Sequence, residues 1–177
     1  MTTKYTIDPA HSAASFSIKH MMIAKVHGGF EKLGGTLNYD PSAPEKSAVD
    51  VQIEMNSIST REAARDTHLK SADFFDVEKF PKITFKSTSV SKNADNRLAV
   101  NGDLTIKDQT RQVVLAVDEI SGEMKDPWGN IKIGASASTK IKRKDFGLTW
   151  NAALEAGGVL VGDDVTINLE MQFTKST

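Results

Sequence analysis

Apolar and polar residues alternate with a period of two along most of this chain. Val49, Val51, Ile53 and Met55 alternate with Asp50, Gln52, Glu54 and Asn56, the pattern of a strand with one buried face. Val165, Ile167, Leu169, Met171 and Phe173 repeat it against Thr166, Asn168, Glu170 and Gln172. Near the start, residues 5–7 predict a short strand turned by Asp8-Pro9, and Ala14, Phe16 and Ile18 a second one ending near His20. Ile83 and Phe85 begin another. Leu98, Val100, Gly102, Leu104 and Ile106 keep the period up to Lys107-Asp108-Gln109, and Val113, Leu115 and Val117 resume it beyond, which predicts a hairpin. After the turn signal Asp126-Pro127-Trp128-Gly129 comes a strand whose inner face is Ile131, Ile133, Ala135, Ala137, Thr139 and Ile141. Gly28-Gly29 and Gly34-Gly35 bracket Phe30 and Leu33 and predict bulges or bends. About eight strands with single apolar faces predict an all-β fold, a closed antiparallel barrel or a sandwich, wet outside and apolar inside.

Residues 57–85 break the alternation. Ser59 and Glu62 are spaced as a capping box; good helix formers follow from residue 60 to about residue 70, and Pro81 bars continuation. Phe74, Phe75, Phe80 and Phe85, four of the eight phenylalanines, lie just beyond. A short polar helix opening onto an aromatic cluster predicts a lid or plug beside an apolar interior. Arg65 and His68, three residues apart, share a helix face. They hold the polar head of an apolar ligand at a barrel mouth, or they belong to a structural network in which Arg65 forks onto a carboxylate such as Asp73 and His68 caps a carbonyl.

Whether the interior is hollow decides the function class. The strand from Ile131 to Ile141 is large at both ends and small at Ala135 and Ala137 in the middle. Small residues at a barrel's waist leave volume unoccupied, unless Phe16 or Phe85 fills it from the opposite wall.

Composition narrows the alternatives. A chain of 177 residues with no linker reads as one domain, 1–177. With 22 basic and 23 acidic residues and no basic run, nothing points to nucleic acid. The absence of cysteine removes disulfides, thiol catalysis and thiolate metal sites. His11, His20, His27 and His68 show no tight ligand spacing, and His11-Ser12 lacks the G-x-S-x-G elbow of a hydrolase. No apolar run approaches the roughly 20 residues of a membrane-spanning helix, and the N-terminus lacks the apolar core of a signal peptide. The expected location is cytoplasmic as written, or periplasmic if a leader has been replaced by Met1.

Taken together, the motifs resemble the YceI-like polyisoprenoid-binding proteins. The matching features are Asp8-x-x-His11-Ser12, Phe16-x-Ile18-x-His20, Gly29-Phe30 with Gly35, Thr60 with Arg65-Asp66-x-His68-Leu69, and Asp73-Phe74-Phe75-Asp76. Further along come Pro81-x-Ile83-x-Phe85, Gly102-x-Leu104-Thr105-Ile106 and Arg143-x-Asp145-Phe146-Gly147. No single motif decides the matter; their order over nearly the whole chain does. The resemblance implies an eight-stranded antiparallel, lipocalin-like barrel with one short helix and an apolar lumen. It implies a tunnel that binds long isoprenoids, quinones or similar lipids, with no catalytic residues and no required cofactor or metal.

The expected function is therefore non-catalytic binding or carriage of a polyisoprenoid, an isoprenoid quinone or a related lipid. The expected lumen residues are Phe16, Ile18, Phe30, Val51, Ile53, Phe74, Phe75, Phe85, Leu104, Ile133, Ala135 and Phe146, with Arg65 and His68 as a polar rim. Two other readings stand beside it: an enzyme using His68, Arg65 and Asp73 on a lipid head group, and a filled barrel acting as a stress or interaction protein. A homodimer through a strand edge or a tunnel mouth is a further expectation.

Overall fold

The computed structural model describes residues 1–177. Its strands are β1 (Thr3–Ile7), β2 (Ala13–His20), β3 (Ala24–Phe30), β4 (Leu33–Tyr39), β5 (Ala48–Glu54) and β6 (Ile58–Ser59), then, after helix α1 (Ala63–Lys70), β7 (Lys82–Lys92), β8 (Leu98–Ile106), β9 (Gln109–Ile120), β10 (Met124–Lys125), β11 (Ile131–Lys142) and β12 (Val161–Lys175). All pairings are antiparallel. The ring β12-β1-β4-β5-β7-β8-β9-β11 closes back onto β12, which is the eight-stranded barrel that the resemblance implies and one of the two architectures that the alternation allows.

Strands β2, β3 and β6 are continuations of β1, β4 and β5 past a kink. The Phe173 end of β12 pairs with β1, while its stretch from Val161 to Glu170 pairs with β2. Asp8 makes the first kink: its carboxylate accepts the Ala10 N–H at 3.1 Å and caps the 3-10 turn Pro9–His11. The turn Met55–Ser57 makes another, between β5 and β6. Kinked strands let one stave serve two neighbours in succession, which tightens a barrel without adding strands.

At one end the wall is completed by other elements. β6 is only two residues long, and β7 starts where β5 ends, with Lys82 opposite Glu54. The chain between them forms α1 and the segment 71–81. On the other side, β9 stays with β11 only from Ala135 to Ser138, and the 3-10 turn Arg143–Phe146 packs against β9, β11 and β12.

The helix starts later than the capping-box reading predicts. Ser59 is committed to β6, opposite Gly29 of β3. Arg61 is left-handed, at φ 65°, so it lies outside any right-handed helix. The cap is Glu62, whose carboxylate accepts the Arg65 N–H at 2.7 Å.

Two packed clusters hold the barrel. One joins Met55, Phe74, Ile83, Phe85, Leu104, Ile106, Ile141, Phe146 and Leu148; the other joins Tyr5, Ile7, Ala14, Leu33, Leu37, Tyr39, Ile133 and Phe173. Two glycines make room for inward phenylalanines. A Cβ on Gly102 would lie 2.6 Å from the Lys86 carbonyl oxygen and run into the Phe85 ring. One on Gly28, opposite Phe16 in the β2–β3 pair, would meet that ring and lie 2.9 Å from Thr60 Cγ2.

Candidate functional site

Each stave sends alternate side chains inward, and they do not meet across the lumen. They leave a cavity of about 400 Å³ lined by 47 residues, 37 of them hydrophobic. It runs from Pro44, Leu98 and Ile120 to His20 and Leu160 at the helix-covered end. The small waist of β11 faces it: Ala135 sits between Ile120 and Met171, and Ala137 between Val117 and Leu169, all of them on the cavity wall. Phe16 and Phe85 also line the wall, and the space remains.

Of the fourteen residues expected at the site, Phe16, Ile18, Phe30, Val51, Ile53, Arg65, His68, Phe74, Phe75, Phe85, Leu104 and Ala135 line this cavity. Ile133 and Phe146 do not. Ile133 has the inward phase but sits opposite Phe173 near the barrel's far end, where Tyr5 and Ile7 pack over it. Phe146 comes after β11 has ended; its 3-10 turn drives the ring into the packed cluster with Leu148 and Ile141, 1 % exposed. Other lining residues were not singled out from sequence, among them Val26, Tyr39, Val90, Leu148 and Trp150. Val90 is out of phase with Ile83 and Phe85, because an irregularity between Ser87 and Ser89 shifts the strand's register, and Trp150 lies in irregular chain with no periodicity to reveal it.

The polar groups of the helix-covered end are mostly tied to protein. Asp66 accepts the Thr60 N–H at 2.8 Å and the Thr60 hydroxyl at 2.6 Å. Arg65 donates from Nε to Thr60 Oγ1 and from Nη2 to Thr60 O, both at 2.8 Å. Its partner is Thr60, and Asp73 instead takes His68, with Nε2 to Oδ2 at 2.8 Å. The network expected here is present, with its partners exchanged. His68 also stands edge-on to Phe74 and Trp150, at centroid distances of 5.1 and 4.8 Å, and Phe74 lies 5.3 Å from Trp150. This triangle joins α1, the segment behind it and the chain after β11 into one cap over the lumen.

Arg143, 3 % exposed, anchors that cap from below. Nε donates to Gly162 O at 2.8 Å, Nη1 to Leu148 O and Trp150 O at 2.7 and 2.9 Å, and Nη2 to Val161 O at 3.5 Å. Burial lowers its pKa from the ordinary guanidinium value. Burial likewise raises the Tyr39 phenol above its ordinary value, so a neutral ring faces the lumen. Ser47 Oγ, in another lining residue, is a buried hydroxyl with no hydrogen-bond partner.

No carboxylate lines the cavity, and nowhere do three His, Asp or Glu side chains gather as metal ligands. A hydrocarbon chain entering such a space would exchange water for CH contacts along its whole length, with few groups asking for a polar partner.

The same fold and pattern occur in known proteins. The family model of the YceI-like domain matches residues 5–173. A UPF0312 protein of Staphylococcus aureus strain N315 is 38% identical over 175 residues, covering 98% of this chain and 99% of that one. The crystal structure of a Campylobacter jejuni YCEI protein is 33% identical, covers 90% of each chain and superposes with a TM-score of 0.74. Burkholderia cenocepacia BcnA shares the fold at a TM-score of 0.81 and 22% identity, covering 94% of this chain and 98% of that one. So does a polyisoprenoid-binding domain from Saccharophagus degradans, at a TM-score of 0.67 and 13% identity over 97% of this chain and 98% of that domain. The sequence pattern, the kinked barrel and these likenesses lead to one assignment: this chain belongs to the YceI-like domain family.

Proposed function

We propose that this chain binds one long, slender, mostly apolar amphiphile in the barrel lumen, a polyisoprenoid, an isoprenoid quinone or a similar lipid, and does not transform it. The observation that carries this reading is the wall of the cavity, hydrophobic at 37 of 47 residues and without a carboxylate. Each buried methylene contributes roughly 0.8 kcal/mol, so a chain of many isoprene units binds tightly even after the costs of association and ordering. The head group rests at the helix-covered end, where Arg65 and His68 lie on the wall. The Saccharophagus degradans neighbour, described as a polyisoprenoid-binding domain, supports the ligand class. Acid–base work on the bound lipid is disfavoured because no carboxylate lines the cavity and Arg65, His68 and Arg143 are held by Thr60, Asp73 and backbone carbonyls.

The test is native mass spectrometry of the purified protein, with organic extraction and identification of what it carries. One lipid per chain, or stoichiometric uptake of an added polyprenol or quinone, is expected. An empty protein that takes up neither lipid would instead favour a ligand-free interaction barrel.

A further inference from the structure

We propose that the tip of the β2–β3 hairpin, Met21-Met22-Ile23, is a docking element for an anionic lipid bilayer. Met21, Met22 and Ile23 are 44, 62 and 83 % exposed and form a contiguous apolar tip; Met22 packs on Gly158, whose chain neighbour Val159, in the segment before β12, is also exposed. Single exposed apolar residues need no explanation, but three in a row at a hairpin tip do.

Local chemistry argues that these side chains are there for a reason other than folding. Met21 and Met22 both sit at positive φ, 52° and 62°, where Asn or Gly would cost less. Directly behind the tip, Lys19 and Lys25 occupy opposed positions across the two strands, a like-charge pairing that weakens a sheet. All the ion pairs of the protein lie elsewhere, although Asp163 and Asp164 share a surface groove with these lysines. Asp164 is engaged by Lys142 at 3.0 Å. Between Asp8 and Glu31 the sequence has no acidic residue. An apolar tip backed by unpaired cations fits an interface of acyl chains below anionic head groups. A second copy of the chain fits poorly, because a two-fold contact through this patch would bring lysines against lysines.

The tip is also joined to the cavity. Met21 N–H donates to Leu160 O at 2.8 Å, and both His20 and Leu160 line the cavity wall. Met22 covers Gly158, where its sulfur leaves no room for a Cβ. A docked tip therefore holds the helix-covered end of the lumen at the membrane surface, where a lipid would leave or enter. That use rests on the function proposed above; docking itself does not.

The test is cosedimentation of the full chain with vesicles of phosphatidylglycerol and phosphatidylcholine in equal parts, against vesicles of phosphatidylcholine alone. Binding to the anionic vesicles is expected, reduced about tenfold or more in Met22→Asn/Ile23→Asp. Lys25→Glu, which converts the opposed lysines into a cross-strand ion pair, is expected to weaken vesicle binding with no fall in melting temperature. Uptake of polyprenol dispersed without vesicles, measured on the same variants, reads the lumen separately. The proposal is overturned if the wild type ignores anionic vesicles, if the double variant binds them as the wild type does, or if the tip instead mediates a dimer that the double variant abolishes.

Discussion

His68 stands edge-on against Trp150, ring centroids 4.8 Å apart and planes at 86°, although 82 residues separate them in the chain (150 − 68). The contact bridges two segments that replace wall where the strands part: α1 on one side and the chain following β11 on the other. Edge-to-face aromatic pairs contribute about 1 kcal/mol beyond the area they bury.

Removing Trp150 should therefore loosen the cap more than the barrel. Trp150→Ala is expected to lower stability by about 2 kcal/mol, less than a fully buried tryptophan costs because this one is half-buried. It should also speed the release of a preloaded polyprenol severalfold. Stopped-flow transfer to acceptor vesicles measures the rate, and a release rate equal to that of the wild type would mean that lipid leaves by the other end.

Arg143 has no carboxylate partner; it serves four backbone carbonyls, Leu148 and Trp150 in the same cap and Val161 and Gly162 at the start of β12. Lysine cannot reproduce its planar fork, so Arg143→Lys leaves several buried carbonyls without donors. A loss of about 3 kcal/mol is expected in urea melts. A loss below 1 kcal/mol would show that water replaces the guanidinium at no cost.

Asp8 predicts the acid limit of the fold. Its carboxylate accepts Lys132 Nζ at 2.7 Å, His11 Nδ1 at 3.0 Å and Gln172 Nε2 at 3.2 Å, joining the first kink to β11 and β12. Chiefly because of the Lys132 hydrogen bond, its pKa falls from 3.8 to about 2. A carboxyl more acidic in the folded state stabilises fully above its unfolded value and loses that contribution as pH drops through the folded one. Asp8→Asn should thus be less stable than the wild type near neutral pH, with the difference shrinking between about pH 4 and pH 2. Thermal melts across that window measure it; a constant difference would remove Asp8 from the acid response.

The staves themselves were legible in the sequence wherever one face is buried and the other wet, as in β5, β8 and β12. Alternation reports the face of a residue, not its depth along the barrel axis. That is why Ala135 and Ile133, two residues apart on one face, divide between open lumen and packed cluster. In β3 the apolar positions Ala24 and Val26 alternate with Lys25 and His27 over too short a stretch to stand out before the two glycines. Ala24 is exposed although it is apolar, and on its β6 side the strand is paired only at Gly29 and Phe30. The late start of α1 was hidden because Ser59 satisfies a capping pattern and a strand pairing equally well, and the long-range pairing with β3 prevails. Trp150 escaped notice because position in an irregular segment is set by Arg143 and its carbonyl partners, contacts that no local pattern encodes.

The claim that matters most is a lumen open at its waist, and Ala135 tests it. It lies on the cavity wall between Ile120 and Met171, at the border of the packed cluster around Ile133, so an indole there would take up lumen volume. Titration of the wild type and Ala135→Trp with a long polyprenol, read by native mass spectrometry beside circular dichroism, is the direct measurement. The wild type should take up one lipid per chain, and the variant, folded to the same spectrum, should take up none. Equal uptake by both proteins would contradict a binding tunnel past Ala135.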